Sequence, residues 1–535
     1  MKSFFKYVLA TVTGLFISFL LLFIVGAIII GALVSSAMKD QETTVAENSI
    51  MTIRMDYTIT ERTVPNPFED LDIPSFYVNR SLGLEDILSR LEAAETDDRI
   101  KGILLDVSVV NAGFASLQEV RDALVRFKES GKFIVAFSEY YSQKAYLLAS
   151  TADEIYIHPE GGMDFKGLAS ELSFIKGTLD KLGVDMQVVK VGTYKSAVEP
   201  LIQEKMSEAN REQVTSYLGS LYAKFLGDIS DGRNISTDSL HRIADELLVT
   251  NSQQAIDYGL ADGMMYMDEL LANLKDRLDI SSDKDINSVS LRQYKPSSTK
   301  RGSVTADRIA VLYATGQIMG GEGSEGVIGS AKISRELRKL RRDDKVKAVV
   351  FRINSPGGSA LASDVIWREV DLLRQEKPII VSMGDVAASG GYYIAAAADS
   401  IFAQPNTLTG SIGVFGTIPN MEKLFNNHLG ITFDIVKTGK FSDFMSGSFS
   451  RPMTREEEQI MQLEVNRIYD TFLQRVADGR SLSTEQVDSI GQGRVWSGAQ
   501  ALEIGLVDRL GGLEDAIAAA AQKADMEEYR IVRYP

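Results

Sequence analysis

The chain has 535 residues, with 57 Lys and Arg against 73 Asp and Glu, a formal net charge of −16 and no cysteine. The lack of cysteine excludes disulfides, thiolate nucleophiles, thioester lipid anchors and cysteine-ligated zinc, and the acidic balance is unfavourable for a general nucleic-acid surface. Because the three histidines, His158, His241 and His428, lack the spacing of a zinc protease motif, no metal site is predicted, and the base of any hydrolytic site here is expected not to be a histidine.

The N-terminal segment has the character of a membrane anchor. Residues 7–35 carry no charge and follow Lys2 and Lys6. A helix of about 20 apolar residues crosses a bilayer core of roughly 30 Å, so residues 1–40 are predicted to contain a single-pass anchor that contacts lipid through residues 7–35. A cleaved signal peptide is the alternative, but its apolar region is usually only about 7 to 15 residues long. The two lysines predict a cytoplasmic N-terminus, with the rest of the chain outside the cytoplasm.

The remainder of the sequence contains an internal repeat. The matching segments are 97–107 with 343–353 and 145–159 with 391–405, both at an offset of 246 residues, and 183–196 with 430–443 at an offset of 247. Self-similarity of this kind indicates a duplicated domain. We predict a first copy over residues 50–285 and a second over 308–535. Residues 287–307 are polar and lack periodicity, so they are predicted to form a linker.

Each copy has the pattern of an α/β fold. Continuous apolar runs, such as 101–107 and 347–354, alternate with amphipathic patterns, such as 117–131 and 363–376. Such runs are typical of parallel strands covered by helices on both faces. The sequence therefore predicts an α/β architecture that is formed twice.

The two copies differ at the ends of two predicted strands, where catalytic residues of an α/β fold commonly lie. The second copy reads Asn-Ser-Pro-Gly-Gly-Ser at 354–359, directly after a strand, where the first reads Ser-Val-Val-Asn-Ala-Gly at 108–113. Ser389, within Ala-Ala-Ser-Gly-Gly, stands where the first copy has Gln143. A serine at a strand-to-helix corner can expose its hydroxyl, and glycines offer backbone N–H groups to an oxyanion. A turn and a tightly packed helix are the simpler interpretations of these two motifs.

A serine nucleophile needs a base, and the first copy offers a candidate. Lys195 lies in a stretch of small and apolar residues, whereas the second copy has Ser442 at that position. Burial away from carboxylates can lower a lysine pKa toward neutrality. Pairing with nearby Glu199 would instead keep the amine charged, and a solvated surface lysine is the simpler interpretation. Each copy lacks what the other keeps: the lysine is present only in the first copy, and the serine and the glycine pair only in the second. This complementary pattern favours a catalytic site shared by the two copies.

These motifs resemble the signal peptide peptidase A, or protease IV, family of the long double-domain type. The resemblance covers nearly the whole chain, and its motifs are Thr-Tyr-Lys-Ser-Ala-Val-Glu-Pro at 193–200, Asn-Ser-Pro-Gly-Gly at 354–358, Ala-Ser-Gly-Gly-Tyr at 388–392 and Leu-Thr-Gly-Ser-Ile-Gly at 408–413. It implies two tandem domains of the Clp-protease and crotonase type, and a serine peptidase with a Ser-Lys dyad.

The resemblance also implies roles for individual residues. Ser389 would be the nucleophile, Lys195 the general base and Ser411 the hydroxyl that orients the lysine. The oxyanion donors would come from Gly357, Gly358 and Gly390. Asp385 departs from the family pattern, in which a neutral residue is expected, and its charge is expected to alter the polarity of the pocket.

Further expectations concern partners and location. The resemblance implies peptide substrates, namely signal peptide remnants and other unfolded apolar peptides, and a homo-tetramer. It implies a bacterial inner-membrane protein with periplasmic catalytic domains. No cofactor, nucleotide or nucleic acid is expected, and the sequence has no phosphate-binding P-loop motif. Whether Lys195 and Ser389 meet within one chain or between chains is left open.

Two other functions are compatible with parts of the sequence. A crotonase-like acyl-CoA enzyme would share the glycine oxyanion hole, but it would be expected in the cytoplasm, contrary to the anchor. A membrane-tethered assembly scaffold without activity would explain an oligomer. It would not explain why Lys195 and Ser389 are kept in complementary copies.

Overall fold

The computed structural model describes residues 2–37, 45–63, 81–295, 307–324, 326–445 and 450–535. Helix α1 (Lys2–Ala37) contains the predicted anchor. Its stretch Ser3–Gly26 has a mean hydropathy of 2.7 and is not buried against the rest of the chain. At about 1.5 Å per residue it is long enough and apolar enough to cross a membrane.

The first copy forms a parallel sheet flanked by helices. Its strands are β1 (Ser49–Ile53), β2 (Thr58–Thr60), β3 (Ser81–Gly83), β4 (Ile100–Asp106), β5 (Phe133–Tyr141), β6 (Glu154–Met163), β7 (Asp185–Val191), β8 (Gly263–Met264) and β9 (Ser288–Ser290). Its helices are α2 (Leu84–Thr96), α3 (Phe114–Glu129), α4 (Gln143–Ala149), α5 (Lys176–Leu182), α6 (Glu199–Ile202), α7 (Glu208–Arg233), α8 (Thr237–Asp245), α9 (Ser252–Asp257) and α10 (Met267–Arg277). The sheet order is β8-β6-β5-β4-β1-β9, all parallel.

The second copy repeats this arrangement. Its strands are β10 (Arg308–Thr315), β11 (Gln317–Met319), β12 (Val327–Gly329), β13 (Val346–Ser355), β14 (Ile379–Ala388), β15 (Ser400–Ala403), β16 (Leu408–Gly410), β17 (Val414–Asn420), β18 (Val495–Ser497), β19 (Arg509–Leu510) and β20 (Arg530–Tyr534). Its helices are α11 (Ser330–Arg342), α12 (Ala360–Arg374), α13 (Gly390–Ala395), α14 (Arg455–Arg480), α15 (Thr484–Ile490), α16 (Gly498–Glu503) and α17 (Leu513–Lys523), with a π-helix at Leu424–Leu429.

The second sheet has the order β18-β16-β14-β13-β10-β20, and β15 pairs with β14 and β19. The central strands β4 and β13 are buried nearly along their length, as expected for parallel strands covered on both faces. The predicted class, two tandem α/β domains, is confirmed.

The predicted linker begins within the first sheet. Ser288–Ser290 form β9 and pair in parallel with β1, and Tyr294 is buried in the first core. These residues therefore belong to the first copy rather than to a linker. This strand was not predictable, because it is only three residues long and has a single valine between two polar serines. Residues 296–306 of the predicted linker lie outside the described residues.

The two copies share a small sheet that positions the site. Strand β7 of the first copy pairs antiparallel with β17 of the second, from Val191 opposite Val414 to Asp185 opposite Asn420. The loop that follows β7 therefore enters the second copy beside the end of β16, and this loop carries Lys195.

Candidate active site

Ser389 occupies a sharp corner between β14 and α13. Its backbone has φ 55° and ψ −118°, a conformation that costs a non-glycine residue roughly 1–3 kcal/mol and persists only where the surroundings hold it. Its N–H donates to the Gly410 carbonyl at 2.9 Å. The next position, Gly390, is closely packed: a Cβ there would lie 2.6 Å from Ser363 Oγ, so a side chain would displace that hydroxyl. The corner thus presents the Ser389 hydroxyl at the end of the sheet.

Lys195 reaches this corner from the other copy. Its Nζ lies 3.1 Å from Ser389 Oγ, 3.0 Å from Ser411 Oγ and 2.9 Å from the Ser411 carbonyl oxygen. The lysine is only 3 % exposed. Its loop packs on the backbone of Gly493, where a Cβ would fall 2.6 Å from the lysine Cβ. The two halves found in separate copies of the repeat therefore meet within one chain.

Burial changes the acid–base behaviour of this lysine. Desolvation lowers the pKa of Lys195 to about 8, because the charged ammonium loses its water shell. Glu199 does not pair with it. That carboxylate accepts hydrogen bonds from Ser207 Oγ at 2.6 Å, Ser207 N at 3.2 Å and Asn210 Nδ2 at 2.8 Å. The amine is therefore accessible as a neutral base near physiological pH.

Ser411 is held in a strained conformation beside the lysine. Its φ is 50°, and its N–H donates to the Arg494 carbonyl at 2.7 Å. Both its hydroxyl and its carbonyl oxygen accept from Lys195 Nζ. Two acceptors on one residue fix the direction of the amine, so the remaining position on nitrogen faces Ser389.

The predicted glycines lie against the serine corner, but they are not equivalent. Gly357 has φ 101°, and a Cβ there would lie 2.8 Å from the Ser389 Cβ. Its N–H donates to Ser355 Oγ at 3.1 Å and is thereby occupied. In the described part of the chain, the N–H groups of Gly358 and Gly390 donate to no other group. These two are the donors available to an oxyanion, and Gly357 serves as the close-packed turn that positions them.

Asp385 does not face the pocket, contrary to the sequence-based expectation. Its carboxylate accepts from Ser116 N at 3.0 Å and Ser116 Oγ at 2.7 Å, at the N-terminus of α3 in the first copy. The N-cap of α3 is Gly113, which has no side chain to offer. In the second copy, Ser359 caps α12 with its own hydroxyl. Asp385 therefore supplies across the copies the cap that α3 lacks.

The corresponding corner of the first copy is filled by its own side chains. Gln143 Oε1 accepts from Gly167 N at 3.0 Å, and its Nε2 donates to the Gly167 carbonyl at 2.9 Å. Lys144 Nζ donates to the Ala112 carbonyl, the counterpart of Gly358. Side chains of the first copy therefore fill the space beside this corner, whereas the same space beside Ser389 is open in the second copy.

Two further residues build the site and were not among those predicted from the sequence. Ser355 accepts the Gly357 N–H. Asn354 accepts from Val386 N at 3.2 Å and donates to Glu61 of the first copy at 2.9 Å. Both residues lie in the Asn-Ser-Pro-Gly-Gly motif, and the two polar residues at its start are the signal in the sequence that points to them.

Comparison with known proteins gives consistent matches. The profile described as "Peptidase family S49" matches residues 126–281 and again 371–527, and the profile described as "Clp protease" matches 300–409. The chain is 39% identical over 460 residues to "Protease 4" of Salmonella typhi, which covers 84% of this chain and 74% of that protein.

Two further relatives are matched over a similar length. "Protease 4" of Haemophilus influenzae is 37% identical over 464 residues, covering 84% of this chain and 75% of that protein. "Serine protease SPPA, chloroplastic" of Arabidopsis thaliana is 35% identical over 454 residues, covering 84% of this chain and 67% of that protein. The similarity therefore extends across both copies.

Proposed function

This chain belongs to peptidase family S49 and is a serine protease, for which we propose that Ser389 is the nucleophile, Lys195 the general base and Ser411 the group that orients the lysine. One observation carries the proposal. A buried lysine whose pKa is lowered to about 8 lies 3.1 Å from the hydroxyl of a strained serine, and the two come from different copies of the repeat.

The first step is proton transfer. In its neutral form, Lys195 directs its two N–H bonds to the hydroxyl and carbonyl oxygens of Ser411, which leaves the nitrogen lone pair facing Ser389 Oγ. The Ser389 hydroxyl donates its proton to this lone pair as its oxygen attacks a peptide carbonyl. The N–H groups of Gly358 and Gly390 then stabilise the negative oxygen of the tetrahedral intermediate.

The remaining steps use the same groups. The Lys195 ammonium gives its proton to the leaving amine, and an acyl ester on Ser389 remains. Neutral Lys195 next takes a proton from water, which attacks the ester. Collapse of the second intermediate releases the carboxyl product and returns the proton to Ser389.

The substrates and location follow from the anchor and the family resemblance. We propose that the enzyme is held by α1 in a bacterial inner membrane, with the N-terminus in the cytoplasm, and that its two α/β domains lie on the periplasmic side. There it would degrade signal peptide remnants and other unfolded apolar peptides as a homo-tetramer. Lys2 and Lys6 before the apolar stretch support this orientation. The acyl-CoA and scaffold alternatives have no comparable support, since the relatives over both copies are proteases.

The proposal is tested with the full chain in detergent micelles and an apolar signal-sequence peptide, with products followed by mass spectrometry. Wild type is expected to cleave the peptide, and Ser389→Ala to lower kcat by about 10³-fold or more. Ser442→Ala, which alters the serine at the lysine position of the second copy, is the matched control and should retain wild-type activity. Full activity of Ser389→Ala would rule out the assigned nucleophile.

A further inference from the structure

A short connection in the second copy binds both halves of the site. Residues 491–494 join α15 to β18, and we name them the bridging segment. The Gln492 carbonyl accepts from Tyr194 N, in the lysine loop, at 2.8 Å. Two residues further on, the Arg494 carbonyl accepts from Ser411 N at 2.7 Å. The bridging segment is therefore attached both to the loop that carries the lysine and to the residue that receives its hydrogen bonds.

The repeat shows that the bridging segment is fitted to the lysine loop. Counted back from the helix N-caps Asn251 and Ser497, Gly493 corresponds to Leu247 of the first copy. Both residues have a positive φ, 79° for the glycine and 49° for the leucine. The leucine side chain is 52 % exposed, whereas a Cβ on Gly493 would lie 2.6 Å from Lys195 N. The glycine is therefore a further difference between the copies that coincides with the site, because it leaves room for the lysine backbone.

The side chain of Gln492 ties this segment to helices of its own copy and to the lysine loop. Its Nε2 donates to Asp488 Oδ1 on α15, and its Oε1 accepts from Thr193 N at 3.3 Å, two residues before Lys195. Tyr469 OH, on α14, donates to Asp488 at 2.5 Å and accepts from Gln492 N at 3.2 Å. A φ of 51° is uncommon for a residue other than glycine, so these contacts hold Gln492 in a conformation that it would otherwise leave.

Charged and titratable groups near Lys195 are engaged with one another rather than with its amine. Arg494 Nη1 donates to Glu212 Oε1 at 2.8 Å. The other pairs are Tyr194 with Glu212, Tyr469 with Asp488, and Glu199 with Ser207 and Asn210. The lowered pKa of Lys195 has its cause in burial, and that burial depends on how closely the lysine loop packs on the bridging segment.

We propose that Gln492 is a positioning residue: by holding the bridging segment against the lysine loop, it keeps the Lys195 amine closed to bulk water and directed at Ser389. It acts through the lysine and not on the substrate. This role rests on the proposed function, in which Lys195 is the general base. When the segment loosens, water reaches the ammonium, its pKa rises toward the ordinary value, and the neutral base becomes both scarcer and less well aimed.

Steady-state kinetics of the full chain in detergent micelles give the first test. Gln492→Met keeps the length of the side chain and removes its hydrogen bonds, so kcat for a peptide is expected to fall about 10-fold or more, with KM within about two-fold. The midpoint of the rise of kcat/KM with pH should move from about 8 toward 10.5. Gln500→Met is the matched control, because Gln500 Nε2 also donates across the copies, to Ser216 Oγ at 2.9 Å, but on α7 and not on the lysine loop. A profile that moves equally in both variants, or in neither, overturns the proposal.

Chemical labelling separates this role from the proposed function, because it does not need turnover. The pKa of Lys195 is measured from the pH dependence of its acetylation by trace acetic anhydride, followed by mass spectrometry, in full chains that also carry Ser389→Ala. It should rise from about 8 toward 10.5 with Gln492→Met and stay near 8 with Gln500→Met. Tyr469→Phe, which removes the hydroxyl that accepts from Gln492 N, is a milder second variant with the same expected direction.

An unchanged labelling pKa in both Gln492→Met and Tyr469→Phe overturns the positioning role. If the labelling pKa rises as expected but the chain with Ser389 intact does not hydrolyse peptide, the positioning role is supported and the proposed function is overturned instead.

Discussion

The chemistry that we propose for the site depends above all on one group, the amine of Lys195. It is almost fully removed from water and faces two oxygens of Ser411 as well as the Ser389 hydroxyl. A group with a lowered pKa in such surroundings is poised to act as a base near neutral pH.

The first prediction concerns the pH dependence of catalysis. Because only the neutral amine has a lone pair, kcat/KM for a peptide is expected to rise with pH through about 8 and then to level off. The measurement is a rate profile between pH 6 and pH 10 on the full chain. An optimum below pH 7 would contradict the assignment of the base.

The second prediction concerns the destabilisation of the folded protein by the buried Lys195 amine. Its pKa in the folded chain, about 8, is below its ordinary value of 10.5, so the unfolded chain binds the proton more tightly. Below pH 8 the amine therefore lowers the free energy of unfolding by its full contribution. This contribution disappears as the pH rises toward 10.5. Lys195→Met is expected to abolish activity and to raise the free energy of unfolding at pH 7 by up to about 3 kcal/mol.

Urea unfolding of wild type and Lys195→Met at pH 7 and at pH 10 measures this effect. The difference between the two proteins should be smaller at pH 10. A wild type that is the more stable of the two at pH 7 would show that the buried amine is stabilised by contacts that outweigh its desolvation.

At the scale of the element, helix α3 depends on a cap from the other copy. Asp385 accepts from Ser116 N, the same position in the first turn that Ser359 serves in α12 of the second copy. Gly113 leaves space for this carboxylate, because a Cβ at that position would lie 2.0 Å from the Asp385 Cγ. The strand that leads to Ser389 is thereby attached to a helix of the copy that carries Lys195.

The third prediction is that the effect of Gly113→Ser on the free energy of unfolding changes sign when the Asp385 carboxylate is removed. Gly113→Ser alone should destabilise the protein, because its side chain collides with Asp385. Asp385→Ala alone should lower the free energy of unfolding by about 1–2 kcal/mol, the usual loss on removing an N-cap. In the Asp385→Ala background, Gly113→Ser should instead restore stability, since the new hydroxyl can cap α3 itself. A double-mutant cycle by urea unfolding measures the coupling, and additive effects would contradict the shared role.

At the scale of the whole molecule, a buried ionic cluster joins the copies. The guanidinium of Arg352, on β13, is fully buried and contacts Glu61 at 2.8 Å and Glu119 at 2.7 Å, both in the first copy. Glu119 Oε2 also accepts from Leu513 N at the start of α17. Each charge in the cluster is compensated only while the two copies remain together.

The fourth prediction follows from that cluster. Arg352→Met should lower the free energy of unfolding by about 3–5 kcal/mol, because it leaves two buried carboxylates without their cation. Arg335→Met, which removes an arginine paired with Glu322 on the surface, is the control and should have little effect. Thermal unfolding compares the two variants, and equal losses would show that the buried cluster contributes no more to stability than a surface ion pair.

The sequence predicted the class of fold, and it pointed to residues that the structure brings together, because both are encoded in the repeat. Parallel strands appear as apolar runs, and the losses in one copy stand out against the other. The pairing of β7 with β17 was not predictable, because nothing local specifies which of two distant segments will be neighbours. The direction of Asp385 was missed because sequence gives its distance along the chain from Ser389 but not the face of the strand it occupies. Gly113, at the start of a helix without a capping side chain, was the available signal.

We propose that one chain assembles its own dyad from two copies of a domain, and subunit complementation tests whether it does. Ser389→Ala and Lys195→Ala chains, each inactive, are co-expressed with different tags and purified as mixed oligomers, whose peptide hydrolysis is measured. If the dyad forms within a chain, the mixed oligomers should remain as inactive as each variant alone. Recovery of roughly a quarter of wild-type activity, as expected from random mixing of chains around a ring, would show that the serine and lysine meet between chains.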